Sequence, residues 1–183
     1  MLGLAAPLAA ALIVAWAGTV TPGYDPATRT ISRLAEPGLP AAGEVDLALY
    51  LVATALLGLA VVRRPRMWIS IAGVSMLFVA TIHLDQMSAA TTSAHRLASA
   101  IAMLALTRAS FDQRVSRIFG WMLVVLLLAA PVLLIAGFAD WGVWERCFAV
   151  VSIGSVMVMA ATAMLSSDER MRAPAATTSA PGT

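Results

Sequence analysis

Apolar residues in this chain fall in long runs separated by short polar breaks, and the run lengths predict membrane-crossing helices. A helix rising about 1.5 Å per residue needs roughly 17 to 25 predominantly apolar residues to cross a hydrocarbon core of about 30 Å. Six stretches meet that requirement: Leu2 to Val20, Asp46 to Val62, Met67 to His83, Thr91 to Thr107, Ile118 to Phe138 and Cys147 to Leu165. The fourth is the most polar, because His95 and Arg96 fall in its first turns. Small residues mark expected packing seams, since helices in lipid associate through close backbone approach. Ala94, Ala98, Ala102 and Ala105 form one ridge, and Ser152, Gly154 and Ser155 another. Pro131 is expected to kink the fifth span.

The one long break, Thr21 to Val45, concentrates proline, glycine and charge. Within it, Asp25 can cap a helix with Pro26 at its first position, and Pro37-Gly38 would end that helix after Glu36. Over 26–36, Ala27, Ile31, Leu34 and Ala35 share one face, and Thr28, Arg29, Ser32, Arg33 and Glu36 the other. The spacing predicts an amphipathic helix, lying on the outer leaflet or folded down onto the bundle end, with Arg33 and Glu36 paired across one turn. The expected fold is therefore all-α: an integral membrane six-helix bundle with a short amphipathic helix in its first extracytoplasmic loop. Residues 1–165 would form one transmembrane domain, and residues 166–183, rich in Ala, Thr, Ser and Pro, a disordered cytoplasmic tail.

Composition agrees: 60% of the residues are hydrophobic and 12% charged, too little polar surface to cover a soluble globule. Charge sets orientation, because arginine and lysine are retained on the cytoplasmic side. Arg63, Arg64, Arg66, Arg108, Arg114, Arg117, Arg170 and Arg172 gather on one face. Arg29, Arg33, Arg96 and Arg146 lie on the other with most of the acids, which places both termini in the cytoplasm and the protein in the plasma (inner) membrane. Leu2 to Val14 followed by Ala15-Trp16-Ala17 imitates a signal peptide, but no basic residue precedes the run, so it is read as a retained first span. The single cysteine, Cys147, permits no intrachain disulfide. No basic run with interleaved aromatics offers a nucleic-acid footprint, and no nucleotide motif or haem-type histidine pair is found, so no cofactor is expected. Membrane lipids are the expected partners, with a membrane-protein partner or a second copy as further candidates.

Three motifs carry a family resemblance. Pro22-Gly23-Tyr24-Asp25-Pro26 followed by Thr30-Ile31-Ser32-Arg33-Leu34-Ala35 is similar to a "PGYSP…ISELGA" signature. Leu84-Asp85 with Thr91-Thr92-Ser93-Ala94-His95 is similar to "FPxD…HGxxH", and Gly142-Val143-Trp144-Glu145-Arg146 to "GLxER". On these residues the chain resembles the prokaryotic membrane family termed domain of unknown function 998. The resemblance implies a multi-span membrane fold and a shared outer-face constellation, and brings no established activity. Arg33 stands where the family tends to have Glu, His83 where it usually has Phe, and His95 is the one histidine aligned in the second motif.

The chemistry therefore concentrates at the outer helix ends. Tyr24, Asp25, Arg29, Arg33, Glu36, Arg96, Glu145 and Arg146 are the candidates for binding a ligand or the cap. One function class is non-enzymatic: a lipid-binding protein or accessory subunit of an envelope complex, with ion pairs such as Asp85 with Arg96, and Glu145 with Arg146 or Arg33, fixing the loops. The alternative is a membrane-embedded lipid hydrolase or transferase, with Ser32 as nucleophile, His95 and Asp85 as base, and Arg96 or Arg146 stabilising developing charge. His83, Asp85 and His95 would be the weak candidates for a metal. A small transporter is less well supported, because the span centres carry no charge.

Overall fold

The computed structural model describes residues 2–63, 67–84 and 87–172, and shows an all-α chain with six α-helices and one 3₁₀ helix. The α-helices are α1 (Leu2–Val20), α2 (Ala42–Val62), α3 (Met67–Thr81), α4 (Ala89–Ser110), α5 (Arg117–Ile135) and α6 (Trp141–Arg172), with the 3₁₀ segment Ile31–Ala35 between α1 and α2. Four of them, α1, α2, α5 and α6, are long and apolar enough to cross a membrane. The chain is thus a multi-span helical membrane protein. α3 is apolar but has 15 residues, and α4 carries the polar residues noted above.

Each helix packs on its neighbours in sequence, and α6 returns against α1 as well as α5. Close approach needs small residues, and they are where the helices meet. Ala98, Ala102 and Ala105 of α4 are buried, as their ridge predicts. A Cβ on Gly3 would stand 2.9 Å from Ala160 Cβ, so α1 and α6 touch there. Gly154 seats the Phe119 ring, 2.6 Å from where its Cβ would be. The main core joins Leu56, Leu59, Ile69, Leu106, Val156 and Met159. α5 is the outlying helix: Gly120 and Leu123 are its buried residues, while Trp121, Val125, Leu128 and Val132 face outward, as suits a lipid-facing surface.

At the arginine-rich end, the link between α4 and α5 folds back against α6. Ser110 and Ser155 hydroxyls are 2.6 Å apart, Ser116 Oγ donates to the Ser110 carbonyl at 2.7 Å, and Thr162 Oγ1 donates to Gln113 Oε1 at 3.0 Å. Arg108 pairs with Asp112 at 2.7 Å and lies over the Trp68 ring.

The structure moves several predicted boundaries. α2 begins at Ala42 instead of 46, and α4 extends from 89 to 110. α6 begins at Trp141, six residues before the predicted start, so Glu145 and Arg146 are helical residues and Cys147 is interior to the helix. It continues through Arg172, so the first residues of the expected tail prolong the helix; residues 173–183 lie outside the described residues.

The amphipathic helix over 26–36 is corrected. In its place are a single turn after Asp25 and the 3₁₀ helix Ile31–Ala35. The reason is competition for backbone groups. A continuous helix would join the Ile31 N–H to the Ala27 carbonyl. Instead that carbonyl accepts the Val143 N–H at 3.0 Å, and the Ile31 N–H goes to the Glu145 carboxylate. α6 has taken both halves of the bond. The predicted apolar face survives in part: Leu34 and Ala35 are buried, in a small core with Ala17, Tyr24, Ala41 and Val45.

Candidate functional site

The segment Pro22 to Ala35 forms a cap, and α6 holds it through its first two turns. Gly23 turns the chain with φ of +68°, a conformation that glycine adopts without the steric cost of a Cβ. Asp25 caps only the single turn that stands in place of the expected 26–36 helix: its Oδ1 accepts the Ala27 N–H at 3.0 Å and its Oδ2 the Thr28 hydroxyl at 2.8 Å. Those bonds, the Ala27 N–H first, hold the Asp25 carboxyl below its ordinary pKa.

Tyr24 is the pivot. Its ring is 9% exposed, and its hydroxyl is directed at the carbonyls of Arg29 (3.0 Å) and Thr30 (3.1 Å). Burial raises the phenol pKa, and the Arg146 side chain opposes that rise. Arg146 Nη2 donates to the Tyr24 hydroxyl at 2.5 Å and its guanidinium lies 5.5 Å from the ring centroid. Its Nη1 reaches the carbonyls of Pro26 (2.6 Å), Arg29 (3.1 Å) and Gly142 (3.0 Å). A planar guanidinium can serve several diverging acceptors at once, which a lysine ammonium in the same place cannot reproduce.

Glu145, one residue earlier, receives the Ile31 N–H and the Ser32 hydroxyl, the latter at 3.3 Å. Gly142 is buried directly under the cap. A Cβ there would press on the carbonyl oxygens of Pro26 and Arg29 and lie 2.8 Å from that of Ala27. The two sequence motifs separated by more than a hundred residues are therefore two halves of one clamp. Around it, Phe138, Trp141, Trp144 and Phe148 contact in series at ring-centroid distances of 6.0, 5.9 and 5.7 Å. Trp144 Nε1 also donates to the Leu126 carbonyl at 3.0 Å, tying α6 to α5.

Beneath the cap lies a cavity of about 380 Å³. Its walls come from α1, α2, α3, α4 and α6, and are mainly apolar, including Val14, Leu49, Met76, Met103 and Ile153. Ile31, Ser32, Glu145 and Arg146 border it from the cap side, and Ser99 and Ser152 add hydroxyls along its length.

The clamp brings together Tyr24, Asp25, Arg29, Ser32, Glu145 and Arg146 of the predicted residues. Arg33 and Glu36 form the expected pair at the end of the 3₁₀ helix. Glu145 and Arg146 engage the cap backbone, with the carboxylate on Ile31 and Ser32 and the guanidinium on carbonyls and Tyr24. Ser32 and His95 have separate partners. Ser32 donates to Glu145, while His95, 2% exposed, has its Nδ1 2.5 Å from the Ile82 carbonyl. His83 pairs with Asp46 at 2.8 Å. Asp85 lies outside the described residues, so its expected roles with His95, with Arg96 and in a metal site lie there too. Among the described residues, no three His, Cys, Asp or Glu side chains converge to hold a metal.

Sequence reading missed Gly142 and the Val143 N–H as parts of the clamp, the His83–Asp46 pair, and the cavity. A glycine in the first turn of α6, three residues ahead of a charged pair, was the available signal for close backbone approach. The Asp46 partner carried none.

No curated protein and no solved structure gives a match to this chain. The family model described as protein of unknown function (DUF998) matches residues 4–162, which include both halves of the clamp and every wall of the cavity, and the chain belongs to that family.

Proposed function

We propose that this protein crosses the plasma membrane six times, keeps both termini in the cytoplasm, and binds a lipid chain in the cavity beneath its outer cap. The cavity carries the reading. At about 380 Å³ it falls within the usual range for small-molecule sites, roughly 300 to 1,000 Å³, and has their character of apolar walls with a few polar groups. In a bilayer the ligand that matches such walls and is always at hand is an acyl or other hydrocarbon chain. The clamp adds the second half of the argument: a cap fixed by these hydrogen bonds borders one end of the space through Ile31 and Ser32.

The packing of α3 and α4 among the four long apolar helices supports the count of six. α3 packs between α2 and α4, α4 packs between α3 and α5 and also meets α6, and α3 is about 22 Å long at 1.5 Å per residue. A reporter fused after Ala173 tests the topology: cytoplasmic activity is expected, and periplasmic activity would overturn the arginine assignment.

Ala102→Phe tests the cavity. Ala102 is 4% exposed and stands on the cavity wall, so a phenyl ring there occupies space a lipid chain would fill. Native mass spectrometry of the full chain from membranes should show retained lipid mass on the parent protein and loss of most of it in the variant. An equal lipid complement on both proteins, or none on the parent, sinks the proposal.

A further inference from the structure

The polar groups along the cavity differ in whether they are already spoken for. At its cap end, Arg146 directs Nη1 to three carbonyls and Nη2 to the Tyr24 hydroxyl, and Glu145 takes the Ile31 N–H and the Ser32 hydroxyl. A phosphate headgroup would need cationic donors in a fork and would meet a carboxylate instead. Nothing at that end recommends it to an anion.

Farther down the case reverses. A serine or threonine inside a helix ordinarily donates back to the carbonyl four residues earlier. Thr54, Thr107, Ser110 and Thr162 all do so here, at 2.7 to 2.9 Å. Ser152 does not. Its Oγ is buried and has no hydrogen-bond partner among the described residues, and Ser152 is among the residues that line the cavity, so a turn about χ1 is what presents the hydroxyl to an occupant. A buried hydroxyl left unpaired costs free energy, so one held at the wall of a ligand-sized space marks where a ligand's polar group belongs. Ser99 of α4 borders the same space. It lies ten residues from the start of α4 and Ser152 eleven from the start of α6, depths of about 15 and 16 Å at 1.5 Å per residue.

We infer that the cavity's occupant is a neutral lipid that presents a hydroxyl or carbonyl oxygen to Ser152 and Ser99 partway down the bundle, and not a lipid anchored by a charged headgroup beneath the cap. The inference rests on the lipid-cavity reading and deepens it. Both serines are small, so alanine substitutions leave the walls and the clamp in place.

Three probes of one chain length separate the outcomes: decane, 1-decanol and decyl phosphate. Each is added at fixed concentration to the full chain in one detergent, and bound probe is read by native mass spectrometry for the parent protein and for the S99A/S152A double variant. Comparing the two proteins in the same detergent cancels probe partition into micelles. The parent should hold 1-decanol over the double variant by about fivefold, the size expected for a hydrogen bond formed in a buried site. Decane should bind both alike, and decyl phosphate should bind least. Equal binding of 1-decanol by the two proteins, or tightest binding by decyl phosphate, overturns the assignment of the serines while leaving a lipid cavity in place. Failure of all three probes to bind overturns both.

Discussion

Alanine at position 142 is expected to pry the cap from α6 and to lower stability by about 3 kcal/mol, at the upper end of overpacking costs. The added methyl has nowhere to go. It would meet the carbonyl oxygens of Pro26, Ala27 and Arg29, which are backbone atoms and cannot swing aside as the tip of a long side chain can. The same three oxygens are held in place by α6, Ala27 through the Val143 N–H and the others through Arg146. Relief therefore requires the cap to rise as a unit, lengthening those bonds and drawing the Ile31 N–H from Glu145. Gly58→Ala is the matched control, because a Cβ on Gly58 meets nothing within 4 Å. In the interior of α2 that change should stabilise by roughly 0.5 to 1 kcal/mol through helix propensity. Thermal unfolding in detergent should separate the two variants in opposite directions, and hydrogen exchange at Val143 and Ile31 should accelerate in Gly142→Ala alone. A Gly142→Ala midpoint matching that of the parent would remove the clamp as a determinant of the fold.

The helices were legible because lipid leaves the backbone few choices. Each polar main-chain group must be satisfied within the segment, so a sufficiently long apolar run is helical and its ends fall where polarity returns. α1 follows its apolar run from Leu2 to Val20. The rule misplaces an end where a charge has a protein partner and does not need water. Glu145 and Arg146 look like residues that should sit beyond a span, and α6 includes both because the cap supplies donors to one and acceptors to the other. The cap itself was read with the right residues and the wrong regularity. The apolar positions Leu34 and Ala35 are buried as their pattern predicts, while Asp25 caps a single turn instead of the helix expected after it. What local sequence cannot contain is the rival for Ala27 and Ile31, which lies more than a hundred residues away in α6. The cavity was illegible for a related reason: its walls come from five helices, and no one helix pattern distinguishes an alanine facing a neighbour from one facing a void.

Glu145 offers the second large effect, and a series of substitutions there distinguishes shape from hydrogen bonding. Glu145→Ala should cost about 3 kcal/mol, because it strands the Ile31 N–H and the Ser32 hydroxyl, donors whose acceptor was a carboxylate. Glu145→Gln should cost nearer 1 kcal/mol. Its side-chain carbonyl can still accept from Ile31, and its amide can donate to Ser32, whose hydroxyl accepts as well as donates. Glu145→Leu fills a similar volume and accepts nothing, so it should resemble alanine. The order Gln, then Leu and Ala together, in thermal midpoint and in the ease with which a protease cleaves between Thr21 and Ala41, is the signature of a backbone tether. If leucine instead preserved the parent's midpoint, Glu145 would be present for its bulk, and the cap would owe its position to Arg146 and Gly142. The same proteins report on the cavity. Since Ser32 and Glu145 border it, a cap loosened by Glu145→Ala should release bound lipid along with the tether, whereas Glu145→Gln should retain both.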